Sequence, residues 1–284
     1  MDHPFPALAA EYAHMLATAK VTRSGPVMRG VDEIMRVLPS YIETSTEIPV
    51  PAAWIGPTDC REGDCNPRLG IGQGDRWDQV STHVPRGEGP FSSKAVADKF
   101  YLHYDKIDVL QGATAWSVIY AIWSWERWNG FGPRAHGRVS GYPWSCTDLY
   151  DPPKFGGRGS GGKYIEDGQW DGDVVDEQPG TVALYLELIQ RRPELAIPSD
   201  IILPAITHDP VDQHLPPPVG LHDAETLQAD LNKLGADPQL LVDGSNGRMT
   251  RRAVEALQAK YGLEADGLAG PKTWAKIDEL LRAA

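Results

Sequence analysis

The sequence predicts a mainly α-helical protein: a larger α-rich N-terminal domain followed by a small three-helix C-terminal domain. Three observations carry this. Apolar residues recur at helical spacing in several segments of residues 1–195. A proline-rich stretch over 196–220 then removes backbone donors and reads as a linker. Beyond it, over 221–284, three apolar stripes of helical period follow one another, two of them closed by glycine.

Taken in order, Phe5 to Lys20 and Val27 to Leu38 both carry the helical period. Pro39 is expected to end the second, because its ring nitrogen has no hydrogen to donate. Pro51 to Arg61, with Trp54, Ile55 and Thr58, reads as a third helix that delivers Glu62 at its border with a loop. Gly63, Asn66, Pro67, Gly70, Gly72 and Gly74 make further helix unsustainable there. Ser81 to Phe91 reads as loop or short extended structure. Ala113 to Trp128 is long, aromatic and nearly uncharged, the pattern of a helix buried on most sides. Pro133 to Gly180 shows no period that assigns its elements, and Thr181 to Arg191 closes the domain as a helix. The linker carries Pro198, Pro204, Pro210 and Pro216-Pro217-Pro218, an extended and semi-rigid spacer. The three C-terminal stripes are Leu227, Leu231 and Leu234 before Gly235, then Val254, Leu257 and Tyr261 before Gly262, then Trp274, Ile277 and Leu281.

Composition narrows the function classes. A chain of 284 residues can bury two cores without disulfides. At 41% hydrophobic and 23% charged residues it is neither disordered throughout nor fibrous. No run approaches the roughly 18 apolar residues of a membrane span, so none is expected. Residues 1–6 lack a basic stretch followed by an apolar core, so no secretory signal is expected and export would need another route. A net charge of −12 with no lysine- or arginine-rich run argues against nucleic acid as a partner. Cys60, Cys65 and Cys146 cannot all pair and read as reduced thiols. A zinc site joining Cys60 and Cys65 to His136 is the alternative, without a Cys-x-x-Cys pair to support it. No cofactor is expected, and the chain is expected to be a monomer.

The C-terminal domain contains an internal repeat. Val242-Asp243-Gly244-Ser245-Asn246-Gly247-Arg248-Met249-Thr250 aligns with Ala265-Asp266-Gly267-Leu268-Ala269-Gly270-Pro271-Lys272-Thr273. Asp-Gly favours a turn, the second glycine permits positive φ, and each threonine falls near the start of a helix. With Leu227-Gln228, Leu234-Gly235, Ala253-Val254, Leu257-Gln258 and Tyr261-Gly262-Leu263, this pattern resembles the peptidoglycan-binding domain type 1 family across essentially all of 221–284. The resemblance implies attachment to bacterial peptidoglycan, with a groove between helices as the contact. It supplies no catalyst.

In the first domain the strongest chemical candidate is an acid. Cleaving a glycosidic bond requires a carboxylic acid beside the leaving oxygen and, in a hydrolase, a second carboxylate or a substrate group. Glu62, entering a glycine-rich loop where the main chain can approach a flat sugar, is the best placed. Asp75 lies across that loop and could face it, or it forms a turn by bonding its own loop. Glu126, at the end of the aromatic helix, is either catalytic or buried against Arg127, Arg134 or Lys163. Tyr142, Trp144 and Tyr164 offer faces for pyranose rings, or pack in the core. His83, His103 and His136 show no zinc-peptidase clustering.

Arg61-Glu62, then Leu69-Gly70-Ile71-Gly72-Gln73-Gly74-Asp75-Arg76, then Arg127-Trp128-Asn129-Gly130-Phe131-Gly132 resemble successive motifs of the goose-type lysozyme and soluble lytic transglycosylase superfamily. The resemblance implies a lysozyme-like fold with Glu62 as catalytic acid, Gln73 in the glycine-rich loop, and Trp128 and Asn129 in the sugar groove. Trp128 stands where the family has tyrosine, and Gly63-Asp64-Cys65 replaces the usual residues after the glutamate. Trp125 to Asp167 is similar to bacterial and phage two-domain proteins that join a lysozyme-like domain to a peptidoglycan-binding module. The implied activity is that of an endolysin-type muramidase cutting the β-1,4 bond between N-acetylmuramic acid and N-acetylglucosamine, made in the cytoplasm and acting on the wall. Lytic transglycosylase, wall-peptide amidase or peptidase, non-catalytic wall binder, and chitinase or chitosanase are the alternatives.

Overall fold

The computed structural model describes residues 3–72, 74–83, 85–107, 116–166, 168–206, 224–242, 248–263, 265, 267, 269 and 271–283. The fold is mainly helical. In the N-terminal part run α1 (Phe5–Thr18), α2 (Ser24–Glu47), α3 (Ala52–Gly63), α4 (Lys94–Tyr104), α5 (Val118–Asn129), the single turns α6 (Gly132–Ala135) and α7 (Gly141–Trp144), a hairpin of β1 (Lys163–Glu166) and β2 (Gln169–Asp171), and α8 (Thr181–Arg191). The C-terminal module is α9 (Ala224–Lys233), α10 (Arg248–Lys260) and α11 (Pro271–Ala283).

α2 does not stop at Pro39, as the sequence suggested; it continues for two more turns. The stripe Val31, Ile34, Leu38 and Tyr41 runs straight past the proline and is buried, while Pro39 itself faces solvent. Interrupting a helix with proline costs about 3 kcal/mol, and two further buried side chains at about 1.5–3 kcal/mol each offset it. α4 gave no apolar period because two of its inward positions are Lys94 and Asp98, both buried. Only its cap, Ser93, accepting from the Val96 amide at 3.3 Å, was written locally.

The core forms where α3 packs on α2 and α8 and meets α5 through its side chains. Trp54 and Trp125, both fully buried, stack with centroids 6.4 Å apart. Each indole finds an acceptor across the interface: Trp54 Nε1 donates to Ser124 Oγ at 2.8 Å, and Trp125 Nε1 to Thr58 Oγ1 at 3.0 Å. This packing fixes the ends of α3 and α5 side by side. The segment that the period could not assign holds α6, α7 and the β hairpin, tied down by Arg23, which grips Asp151 at 2.6 and 2.7 Å.

The module explains its own repeat. Gln228 donates to Thr250 Oγ1 at 3.2 Å and Gln258 to Thr273 Oγ1 at 3.0 Å, all four side chains being buried. Each Leu-Gln pair thus buries a leucine and pins the first turn of the next helix. The turn 243–247 and residues 266, 268 and 270 of the repeat, and 207–220 of the linker, lie outside the described residues. No helix among the described residues is long and apolar enough to cross a membrane.

Candidate functional site

α3 ends in a left-handed turn. Asp64 and Cys65 take φ of 52° and 55°, and the Cys65 amide bonds the Asp59 carbonyl at 3.3 Å. This leaves Glu62 on the last helical turn with its side chain exposed. Its Oε1 accepts two hydrogen bonds, from the Tyr142 hydroxyl at 2.7 Å and from Trp128 Nε1 at 3.0 Å. Burial, and then the neighbouring Glu62 charge, push the Tyr142 phenol well above its ordinary range, so it stays protonated and donates.

The neighbours hold these three groups in place. Gly72, at φ 77°, lies so close to Trp128 that a Cβ there would sit 2.8 Å from the ring, so only glycine lets the loop lean on the indole. Arg61 stacks over the Tyr142 ring at 4.9 Å and pairs with Asp176 at 2.7 Å. Burial alone would lower the Arg61 pKa, but Asp176 outweighs it. Burial would likewise raise Asp176, and Arg61 with Lys163 hold it below the usual carboxylate range. Lys163 of β1 stands 3.5 Å from Asp176, so the hairpin is anchored to the same pair that backs Glu62. Asp64, two residues past Glu62, lies 3.5 Å from Arg251 of α10.

The other sequence candidates separate. Asn129 is exposed at the end of α5, next to Trp128. Asp75 accepts from the Thr82 amide and hydroxyl, the His83 amide and His83 Nδ1, all at 2.9–3.0 Å. Slight burial raises its pKa, but the hydrogen bonds from His83 and Thr82 outweigh that and hold it below the ordinary value. Its carboxylate is therefore committed to its own loop. Glu126 is sealed inside: both oxygens meet Arg134, at 2.9 and 3.0 Å, and Oε2 accepts from Tyr12 at 2.7 Å. Of the readings weighed for it, the one against Arg134 is what the fold adopts. Trp144 corrects an expectation: at 0% exposure it is core, and no sugar reaches it without opening the domain. Tyr164, 39% exposed, sits on the hairpin with its hydroxyl 3.1 Å from His136 Nε2. Gln73 lies outside the described residues.

Asp176 and Trp170 were not singled out by the sequence; Arg61 entered only beside Glu62 in the Arg61-Glu62 motif, and His136 only in the zinc-site alternative. His136 stacks flat on Trp170 at 4.4 Å, and both rings meet Tyr164 edge-on, forming an aromatic surface at the hairpin. Gly132 begins α6 directly beneath Tyr164. Arg61 and Asp176 are 115 positions apart, beyond any local signal. Cys60, Cys65 and Cys146 are unbridged, and burial pushes the Cys146 thiol up to about 12. Among the described residues no three His, Cys, Asp or Glu side chains gather as a metal site.

On the C-terminal module, a groove of about 460 Å³ opens between α9 and α10, floored by Leu231, Leu234, Ala253 and Leu257 and rimmed by Arg252, Lys260 and Tyr261. Tyr261, read as core from its spacing, is 37% exposed on this rim. Residues 222–277 match the family model of the peptidoglycan binding domain. The C-terminal module is a peptidoglycan-binding domain. Among curated proteins, the zinc D-Ala-D-Ala carboxypeptidase of Streptomyces albus G is 50% identical to this chain over 46 residues. That stretch is 16% of this chain and 18% of the carboxypeptidase, so the chain spans less than a fifth of that relative's length. No solved structure matches.

Proposed function

We propose that this protein is a peptidoglycan hydrolase of the endolysin muramidase kind. Its N-terminal domain cuts the β-1,4 bond between N-acetylmuramic acid and N-acetylglucosamine, and the peptidoglycan-binding domain holds it on the wall. The observation that carries this is the setting of Glu62: Tyr142 and Trp128 fix Oε1, while no described residue bonds Oε2. A proton on Oε2 faces outward, where a glycan strand would bring its glycosidic oxygen within hydrogen-bond reach. Trp128, whose indole bonds Glu62, and Asn129, exposed beside it, stand at the acid, and the exposed Tyr164 offers an aromatic face of the kind that suits the apolar face of a sugar ring. Tethering through the module raises the local concentration of enzyme on its polymer without adding a catalytic contact.

A second reading draws on one observation. Asp75 is occupied by four donors and Glu126 by Arg134 and Tyr12, so Glu62 is the one open carboxylate of the three. A single acid suits a lytic transglycosylase, in which the sugar's own 6-hydroxyl attacks the anomeric carbon and leaves a 1,6-anhydro end. Its product is one water lighter than that of hydrolysis.

The experiment compares wild type with Glu62→Gln on isolated sacculi, following turbidity and the masses of released fragments. The amide keeps the acceptor for Tyr142 and Trp128 and removes the proton donor, so the rate should fall by about 10²-fold or more. Disaccharide-peptides from wild type, with a variant that sediments with sacculi but does not cut, support the reading. Clearing by the variant at the wild-type rate sinks it. Freed peptide ends on an intact glycan would place the chain among wall-peptide enzymes instead.

A further inference from the structure

α4 carries charge into the interior directly beneath the site. Lys94, Asp98 and, from α3, Asp59 are 4%, 0% and 0% exposed. Lys94 Nζ lies 3.0 Å from Asp59 Oδ2 and 3.2 Å from Asp98 Oδ1. It also donates to the Leu69 carbonyl at 2.8 Å, while Asp98 Oδ1 accepts from the Ile71 amide at 2.8 Å. The loop is thus gripped on both sides of Gly70, which is pressed so close to Tyr101 that a Cβ would meet its ring at 2.4 Å. Gly72, the residue after Ile71, supports the Trp128 indole that bonds Glu62. Asp59, less than one turn before Glu62, accepts from the Tyr41 hydroxyl at 2.6 Å.

One cluster therefore grips both segments that make the Glu62 site. Two of its carboxylate oxygens, Asp59 Oδ1 and Asp98 Oδ2, are buried without a partner among the described residues. Two ionised carboxylates on one ammonium would leave a net negative charge in the core, and burial disfavours that.

We propose that Asp98, acting with Lys94 and Asp59, is a positioning residue for the Glu62 site. With one proton held on the cluster it fixes the loop 69–72 against Trp128, and loss of that proton loosens the loop. Its consequence for catalysis rests on the reading of Glu62 above. Burial pushes Asp98 up to about 7, against the lowering effect of Lys94 and with a further rise from Asp59. The other titratable groups at the cluster are Tyr41 of α2, Tyr101 of α4 and Cys65, each raised by burial and neutral in this range. Because the folded carboxyl lies above its unfolded value, its stabilising effect is complete in acid and is lost as pH rises through about 7.

The test follows the full chain between pH 5 and 9, recording the Ile71 amide and Trp128 indole resonances together with kcat and KM on sacculi. In wild type the two resonances should titrate together near pH 7, and kcat should fall on the alkaline side with KM little changed. Asp98→Asn keeps an acceptor for Ile71 and Lys94 but has no proton to lose. It should abolish both titrations and exceed wild-type kcat at pH 8. Asp98→Ala removes the grip and should lower kcat about tenfold even at pH 6. Where that variant fails to fold, the Asn variant and the resonances decide alone. An Ile71 amide that is flat with pH in wild type, or that titrates unchanged in Asp98→Asn, overturns the proposal. If both resonances behave as expected while Glu62→Gln still cuts, the reading of Glu62 fails and the role of Asp98 in holding the loop stands.

Discussion

Replacing Gln258 by alanine should unfold much of the C-terminal module while the N-terminal domain stays folded. Gln258 is 2% exposed; its Nε2 donates to Thr273 at 3.0 Å and its Oε1 accepts from the buried Gly267 amide at 2.9 Å. Stranding that amide costs roughly 1–3 kcal/mol. Losing the one buried γ-methylene adds about 0.8 kcal/mol, for a total of about 2–4 kcal/mol. The matched module has 277 − 222 + 1 = 56 residues, and at 0.05–0.15 kcal/mol per residue its whole stability is roughly 3–8 kcal/mol. The substitution therefore removes about half of it. Calorimetry of the full chain should show the module's transition falling by more than about 10 °C with the N-terminal transition unmoved. Sedimentation with sacculi at 37 °C should fall in parallel. If the variant melts within about 2 °C of wild type and still sediments, the paired Gln–Thr reading of the repeat is wrong.

Three further outcomes follow from the first domain. Tyr142→Phe removes the 2.7 Å donor to Glu62; at about 1–2 kcal/mol for a partly solvated charge-assisted bond, kcat should drop about tenfold with sacculus binding unchanged. An unchanged kcat would mean the phenol does not act on Glu62. Glu126→Gln breaks a buried pair with Arg134 and should cost roughly 3–5 kcal/mol in a denaturant titration while leaving kcat at low temperature intact; a stable but inactive variant would return Glu126 to the chemistry. Asp75, held below its ordinary pKa by His83 and Thr82, contributes stability above the unfolded value near pH 4 that is lost as pH falls through the folded one. The protection factors of the Thr82 and His83 amides, taken relative to their intrinsic exchange rates, should therefore fall in acid in wild type, and Asp75→Asn should remove that dependence.

Elements whose burial follows a simple period were legible. α8 matches the expected span, and α1, α3 and the helices of the module lie on the segments whose stripes announced them. Where the inward face carries charge the period fails, and α4 stayed hidden because Lys94 and Asp98 face inward. Pro39 misled in the opposite sense, since a solvent-facing ring does not interrupt the buried stripe on the other side. Glu62 could be picked out as an acid at a helix-to-loop border, but spacing could not distinguish it from Asp75 and Glu126. Only the partners they acquire do that: Thr82 and His83 for Asp75, Arg134 and Tyr12 for Glu126.

The sequence alone determined the two-part layout, the helical class and the peptidoglycan-binding pattern, because these rest on local period, turn chemistry and a repeat written within a few tens of residues. The tertiary structure decided which carboxylate stays open, which aromatic residues are core and which groups support the site. Tyr142 is 80 positions from Glu62, Asp176 is 115 from Arg61, and Asp98 is 27 from Ile71. Pairings at such separations are chosen by how the helices pack and by the need to satisfy every buried charge, and neither is written in any one stretch of chain.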